Sequence, residues 1–295
     1  SYSLHKNQPL SFTGSIVVIV SPAVEGYTEG GVPFGSISGQ YIKNLNENIR
    51  KKYTIPYELY EVGDYDARYY SILLLGIADD NVTMLSSTNP STLNLLAEKG
   101  NEFKELLIED IRKGTLNKKF KLEPEFRALV ESRLLPNPLR AEKLKQMIQR
   151  DHENKLRPTH YWDKLVVIAC WTGGNSQIFL NRMSQWYGSV QLKDLGYLAS
   201  EIRGSIPLDI DSSEGVLTID ENFFEFVEED KINIQPRPYL LADELDVGKR
   251  YYLFFTNQAG LYRYDINDIV EVNGFINNTP TIGFVQKGKG VTSIT

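Results

Sequence analysis

The 295-residue chain has one cysteine, three histidines and no excess of basic residues. Each scarcity removes a class of function. A single cysteine, Cys170, excludes an internal disulfide and fits a reducing, cytoplasmic setting. His5, His152 and His160 are scattered, without metal-ligand spacing, so neither a zinc centre nor a Ser/His/Asp hydrolase is expected. A formal net charge of -6 argues against nucleic acid as the main partner. An anionic ligand must then be held locally, by backbone N–H groups or a few cations. No run of 18 apolar residues occurs, so no membrane-spanning helix is expected. The start, Ser1-Tyr2-Ser3-Leu4-His5-Lys6, lacks the apolar core of a signal peptide. It also lacks an initiator methionine, and the final "GVTSIT" has no helix cap, which suggests a piece of a longer chain.

What is present reads as a globular protein. Hydrophobic residues make up 41% and charged residues 24%, enough for a sizeable core in one large or two smaller domains. "IVVIV" at 16–20 is a β-branched run suited to a covered strand. The glycine- and proline-rich stretch 21–39 reads as a loop with tight turns. Residues 66–78 read as a helix and 82–87 as a strand. Residues 89–114 read as one helix, with Asn89 as N-cap, Pro90 at the first position and Gly114 as the stop. Residues 124–150 are helical and charged, a solvated face split by Pro136 and Pro138. Then come a strand at 164–170, a "WTGG" turn, a helix at 175–188 and a strand at 189–192, an α/β unit. After 222 strands dominate, at 223–229, 250–257, 260–272 and 281–287, with turns such as Asn273-Gly274. The expected division is an α/β portion over 1–222, a β-rich portion over 223–286 and a hinge at 287–295.

Three pieces carry candidate chemistry. In an α/β sheet ligands bind at the carboxyl ends of strands. Thr172-Gly173-Gly174 follows one strand, and its glycines would let a flat ring or a phosphate approach the backbone. Helix N–H groups just beyond would favour negative charge. Ser212-Ser213-Glu214-Gly215 follows "IPLDI"; its hydroxyls suit a phosphate oxygen or a base, and Glu214 suits Mg²⁺. Asp268, within "LYRYDINDIVEV", suits the two hydroxyls of a ribose. Each piece also has a plain reading: a turn, a helix cap, and a hairpin at 265–268.

Together "VVIACWTGG", "LDIDSSEG", "GLYRYDINDIVEV", "GFVQKGKG" and "EGGVPFGSISG" resemble the auxin-responsive acyl-acid amido synthetases, in a bacterial form, over nearly the whole chain. That family belongs to the acyl-adenylate-forming superfamily. The resemblance implies an α/β fold, the large domain of an adenylate-forming enzyme, with α/β layers followed by a β-rich subdomain. It implies that Ser212 and Ser213 contact adenine and phosphate, and that Glu214 handles Mg-ATP catalytically. Asp268, downstream of Tyr262-Arg263-Tyr264, would hold the ribose, and Thr172, Gly173 and Gly174 would border adenine. Lys287 to Gly290 resemble a hinge to a small mobile domain. The implied reaction joins a small carboxylic acid, activated by ATP with Mg²⁺, to an amine such as an amino acid. Transfer to coenzyme A and a non-catalytic nucleotide-binding scaffold are the alternatives. The chain departs from the family in three ways. Ile210 and Asp211 stand where a tyrosine is usual. Asn267 replaces a glycine, although asparagine tolerates left-handed backbone. Neither the phosphate loop nor the small domain with its lysine is found within 1–295, so this piece alone should bind nucleotide poorly and not turn over.

Overall fold

The computed structural model describes residues 2–289. In chain order the first part forms α1 (Tyr2–Asn7), β1 (Ser15–Ile19), a hairpin of β2 (Gly26–Tyr27) and β3 (Pro33–Phe34), α2 (Ile37–Lys43) and α3 (Glu47–Arg50). Next come α4 (Tyr65–Ala78), β4 (Val82–Ser87), α5 (Pro90–Glu102), α6 (Lys104–Lys113), α7 (Pro124–Ser132), α8 (Pro138–Arg150) and α9 (Pro158–Tyr161). Then follow β5 (Val167–Ala169), α10 (Gln177–Tyr187), β6 (Gln191–Lys193), β7 (Ser205–Ile206) and β8 (Gly215–Leu217). The last strands are β9 (Phe223–Glu228), β10 (Arg250–Thr256), β11 (Tyr264–Ile276) and β12 (Thr279–Lys287). The described residues form two compact units: one of 8–169 with 181–191, the other of 2–7, 170–180 and 192–289.

In the first unit β1, β4 and β5 run parallel, with Val17 opposite Leu85 and Leu85 opposite Ile168. All three of these side chains are fully buried, which is why these strands read as unbroken apolar runs. Helix α4 starts where the Asp64 carboxylate accepts from the Ala67 N–H. Its residues are buried almost all round, from Ala67 to Ile77, so it shows little amphipathic pattern. Asn89 caps α5 through the Ser91 N–H, Pro90 opens it, and Gly114 ends α6 in left-handed backbone, φ 68°. The expected single helix over 89–114 is in fact two. Phe103 leaves helical geometry at φ -93°, ψ 7°, and its ring meets Tyr70 and Phe120 edge-on. No glycine or proline marks that break. The charged segment 124–150 splits as expected at its prolines, but it is not all solvated. Arg140 is buried and donates to the carbonyls of Ile77 and Tyr161.

The second unit is built on an antiparallel sheet in the order β7-β8-β12-β11-β10-β9. Strand β10, "RYYLFFT", is apolar on both faces because both are covered. Tyr251, Leu253 and Phe255 join one core, while Tyr252 and Phe254 join another with Val227 and Ile269. Asn273-Gly274, expected as a turn, lies inside β11 instead. Gly274 pairs with Thr281, and the ladder shifts register between Val272 and Gly274. The reversal falls after Ile276, at Asn277 with φ 53°. Pairing through Val272 and Ile282, both fully buried, carries the ladder past the Asn-Gly pair.

A candidate nucleotide cavity

The second unit contains a cavity of about 390 Å³, within the usual range for small-molecule sites of about 300–1,000 Å³. Gly173, Ser213 and Asp268, three of the residues expected to bind nucleotide, all line it. They come from separate places in the sequence: a turn after β5, the segment before β8, and β11. A Cβ on Gly173 would stand 3.5 Å from the Ser213 Cβ, in ordinary contact, so the two segments approach closely at the cavity wall.

The other expected residues have local roles. The Thr172 N–H and hydroxyl both donate to Asp194 Oδ2, at 2.6 and 2.7 Å. Asp194 Oδ1 accepts from the Gly196 N–H at 2.6 Å, so this buried carboxylate ties the glycine turn to the next one. Gly174 is left-handed at φ 57°, and a Cβ there would press on the Phe284 ring at 3.3 Å. Ser212 Oγ accepts from the Glu214 N–H at 3.0 Å, a local turn bond. Glu214 is exposed, with its Cγ 3.9 Å from where a Cβ on Gly283 would sit. Thr172, Gly174, Ser212 and Glu214 are not among the residues lining the cavity.

Asp268 is 3% exposed. Its Oδ2 accepts a 2.6 Å hydrogen bond from the Tyr197 hydroxyl. Burial, and then the Asp268 charge, push the Tyr197 phenol well above its ordinary range, so it stays a neutral donor. Lys287 Nζ lies 2.6 Å from Oδ1 as an ion pair, yet its hydrogen-bond geometry is directed at the Ile266 carbonyl, 3.3 Å away. Oδ1 is therefore buried against the Lys287 ammonium alone, in a contact outside the geometry of a directed hydrogen bond. Asn267 has φ 56°, the left-handed backbone that a glycine would adopt more easily. This bulge sets Asp268 opposite Leu253 and Asp265 opposite Phe254. Arg263 turns to Glu225, making two bonds of 2.8 and 2.6 Å, and lies 4.5 Å over the Tyr239 ring.

The sequence reading passed over several residues that line this cavity: Tyr197, Ser200, Glu201 and, as more than a hinge, Lys287. "GYLASE" reads as an ordinary turn, and nothing local marks Tyr197 as the partner of a carboxylate 71 positions away. Lys193 was also missed. Buried at 6% exposed, it donates to the carbonyls of Pro207 and Asp209 and anchors the approach to Ser212–Glu214. Burial holds its pKa below the ordinary lysine value, against the raising effect of Asp194, Asp209 and Asp211. The hinge expected at 287–295 falls, from residue 290 on, outside the described residues. Among the described residues no cluster of three or more His, Cys, Asp or Glu could hold a metal, and no helix is long and apolar enough to cross a membrane.

Comparison with known proteins places this geometry in a family. The GH3 family N-terminal domain matches residues 2–192, and the GH3 family central domain matches residues 215–287. Jasmonoyl--L-amino acid synthetase JAR4 of Nicotiana attenuata is 26% identical over 286 residues, covering 90% of this chain and 48% of that protein. Indole-3-acetic acid-amido synthetase GH3.10 of Arabidopsis thaliana is 24% identical, covering 97% and 52%. A solved structure of GH3.15 acyl acid amido synthetase superposes with a TM-score of 0.83 at 21% identity, covering 100% of this chain and 52% of that one. The chain thus spans about half the length of the relatives it matches. The mixed α/β fold, with its four-stranded, six-stranded and two-stranded sheets, is shared with that solved structure. The chain belongs to the GH3 family.

Proposed function

We propose that the protein activates a carboxylic acid with ATP as an acyl-adenylate and passes the acyl group to an amine, an amino acid. The observation that carries this reading is the single cavity at which Gly173, Ser213 and Asp268 meet. The residues fit a nucleotide on two counts. Asp268 Oδ1 is buried and met only by the Lys287 ammonium, in an ion pair that a ribose hydroxyl would join or displace. Gly173, without a side chain, leaves its part of the cavity wall as bare backbone that a base could approach. Bound ATP would supply the electrophilic α-phosphate and pyrophosphate as leaving group. The protein's share is then positioning and charge balance rather than a covalent nucleophile. Tyr197 orients Asp268, and Lys287 must yield Oδ1 to the incoming hydroxyl. Mg²⁺ needs only one or two carboxylates beside phosphate oxygens. Glu201 in the lining and Glu214 next to Ser213 are the two candidates.

The relatives support the reaction class, since they are named for joining jasmonate or indole-3-acetic acid to amino acids. One solved relative holds 2,4-DB, itself a small acid. Dependence on ATP and the buried lone thiol fit a cytoplasmic enzyme. The test is ATP-dependent pyrophosphate release by the full-length protein in a mixture of carboxylic acids, with hydroxylamine, amino acids or coenzyme A as acceptor. Release that Asp268→Ala abolishes, with an amide as product, is expected. Release unchanged in Asp268→Ala, Glu201→Gln and Glu214→Gln would overturn the site. A thioester product would replace the acceptor, and no release with any acid would favour a binding scaffold.

A further inference from the structure

Asp194 follows β6 and lines the nucleotide cavity, yet nothing in the proposed reaction uses it. It is 5% exposed. Three donors converge on its carboxylate among the described residues: the Thr172 N–H, the Thr172 hydroxyl and the Gly196 N–H. Its neighbour Lys193 feels that charge but directs its ammonium at the Pro207 and Asp209 carbonyls. A buried carboxylate met by hydrogen bonds rather than by an ion pair is costly to keep. The residue type must therefore be needed for the bonds it makes. Three converging donors call for a group that only accepts, and an ionised carboxylate is the side chain that does so.

Each of these bonds fixes a piece of the cavity wall. Trp171 and Gly173 line the cavity, and Thr172 between them does not. Held by both its N–H and its hydroxyl, Thr172 turns away, which presents its two neighbours to the cavity. Gly196 also lines the cavity, in left-handed backbone at φ 80°. A Cβ there would stand 2.5 Å from the Ser205 carbonyl oxygen, so the turn admits no side chain. Tyr197, the next residue, is the one whose hydroxyl holds Asp268. One carboxylate thus sets the wall at Gly173 and, through Gly196 and Tyr197, the orientation of Asp268.

We propose that Asp194 is a positioning residue for nucleotide binding, acting through the Gly173 and Tyr197 walls whose spacing it fixes. The inference rests on the nucleotide reading of the cavity. On that reading both walls meet base and ribose rather than the α-phosphate, and the Asp194 charge itself disfavours phosphate beside it. Losing the spacing then weakens ground-state and transition-state binding alike. The loss shows in KM for ATP and leaves kcat nearly unchanged.

The test is Asp194→Asn in the full-length protein, with AMP affinity read by calorimetry and KM and kcat by ATP-dependent pyrophosphate release. The amide is nearly isosteric, but its NH₂ must face either the Thr172 or the Gly196 N–H, so one backbone donor loses its acceptor. AMP affinity about tenfold weaker, KM for ATP raised by a similar factor and kcat within about twofold of wild type are expected. Asp110→Asn is the matched control. Asp110 is 3% exposed, lies in the other unit and also takes three donors, from Tyr70, Thr115 and Asn117. Its variant should bind AMP as the wild type does. Should Asp194→Asn fail to fold, Thr172→Val, which removes one hydroxyl, decides, with AMP affinity about threefold weaker expected. Unchanged affinity in the deciding variant, an equal loss in Asp110→Asn, or a loss confined to kcat would overturn the proposal and leave the nucleotide site standing. No AMP binding or no pyrophosphate release by the wild type would overturn the nucleotide reading itself, and this inference with it.

Discussion

Replacing Tyr197 by phenylalanine removes one oxygen and keeps the ring, which lies near-parallel to Phe284 at 6.2 Å. That hydroxyl donates to Asp268 Oδ2, while the Lys287 ammonium meets Oδ1. A hydrogen bond to a charged group contributes about 1.5–3 kcal/mol, and leaving a buried acceptor unmet puts the cost toward the upper end. Tyr197→Phe should therefore lower unfolding stability by about 2–3 kcal/mol in urea titrations with an unchanged slope. Nucleotide affinity should fall about tenfold, since about 1.4 kcal/mol of lost positioning corresponds to that factor. The pH dependence has a definite sign. The folded-state phenol is raised above its unfolded value of about 10. Its contribution is thus complete below pH about 10 and fades as pH rises toward the folded value. The gap between wild type and Tyr197→Phe should be flat from pH 6 to 9 and narrow above 10. A gap under about 0.5 kcal/mol, the range of ordinary surface changes, would refute the reasoning, as would a gap that widens in alkali.

Gly173→Ala offers a cleaner functional perturbation. Its Cβ would meet Ser213 at ordinary van der Waals distance, so the melting temperature should hold while nucleotide binding, followed by fluorescence of a labelled ATP, weakens severalfold; unchanged affinity would remove Gly173 from the site. Cys170 is fully buried, and burial, followed by the nearby Asp194 charge, pushes its thiol up to about 12. At pH 8 a disulfide reagent should label it only after urea unfolding, and rapid labelling of the native protein would contradict that burial. Arg140→Met should cost about 2–4 kcal/mol in chemical denaturation, because it leaves the Ile77 and Tyr161 carbonyls buried without a donor; a neutral result would mean that water replaces the guanidinium.

What the sequence announced and what it hid follow from the range of the interactions. Short-range signals were readable. Asn89, Pro90 and Gly114 mark helix ends by their own backbone preferences, and Pro138 opens α8 as its ring requires. The strands of the parallel sheet stood out because both faces are covered. The break at Phe103 was hidden because its cause is a ring packed against Tyr70 and Phe120, not a breaker residue. Asn273-Gly274 carried the strongest local turn signal and still lost to the ladder that buries Val272 and Ile282. Arg140 looked like one more surface charge until its carbonyl partners came from α4 and α9. The same division holds at the candidate site. Gly173 and Ser213 were visible in polar segments at strand ends, and Asp268 as a carboxylate in a strand-like stretch. Tyr197 and Lys287 gain their meaning only from a carboxylate brought to them by sheet pairing.

The most direct test of the nucleotide cavity is a crystal structure of the protein with AMP. The account expects the nucleotide against Gly173 and Ser213, a ribose hydroxyl within hydrogen-bond distance of Asp268 Oδ1, and Lys287 displaced from that oxygen. AMP bound elsewhere, with Lys287 still paired to Asp268, would contradict it.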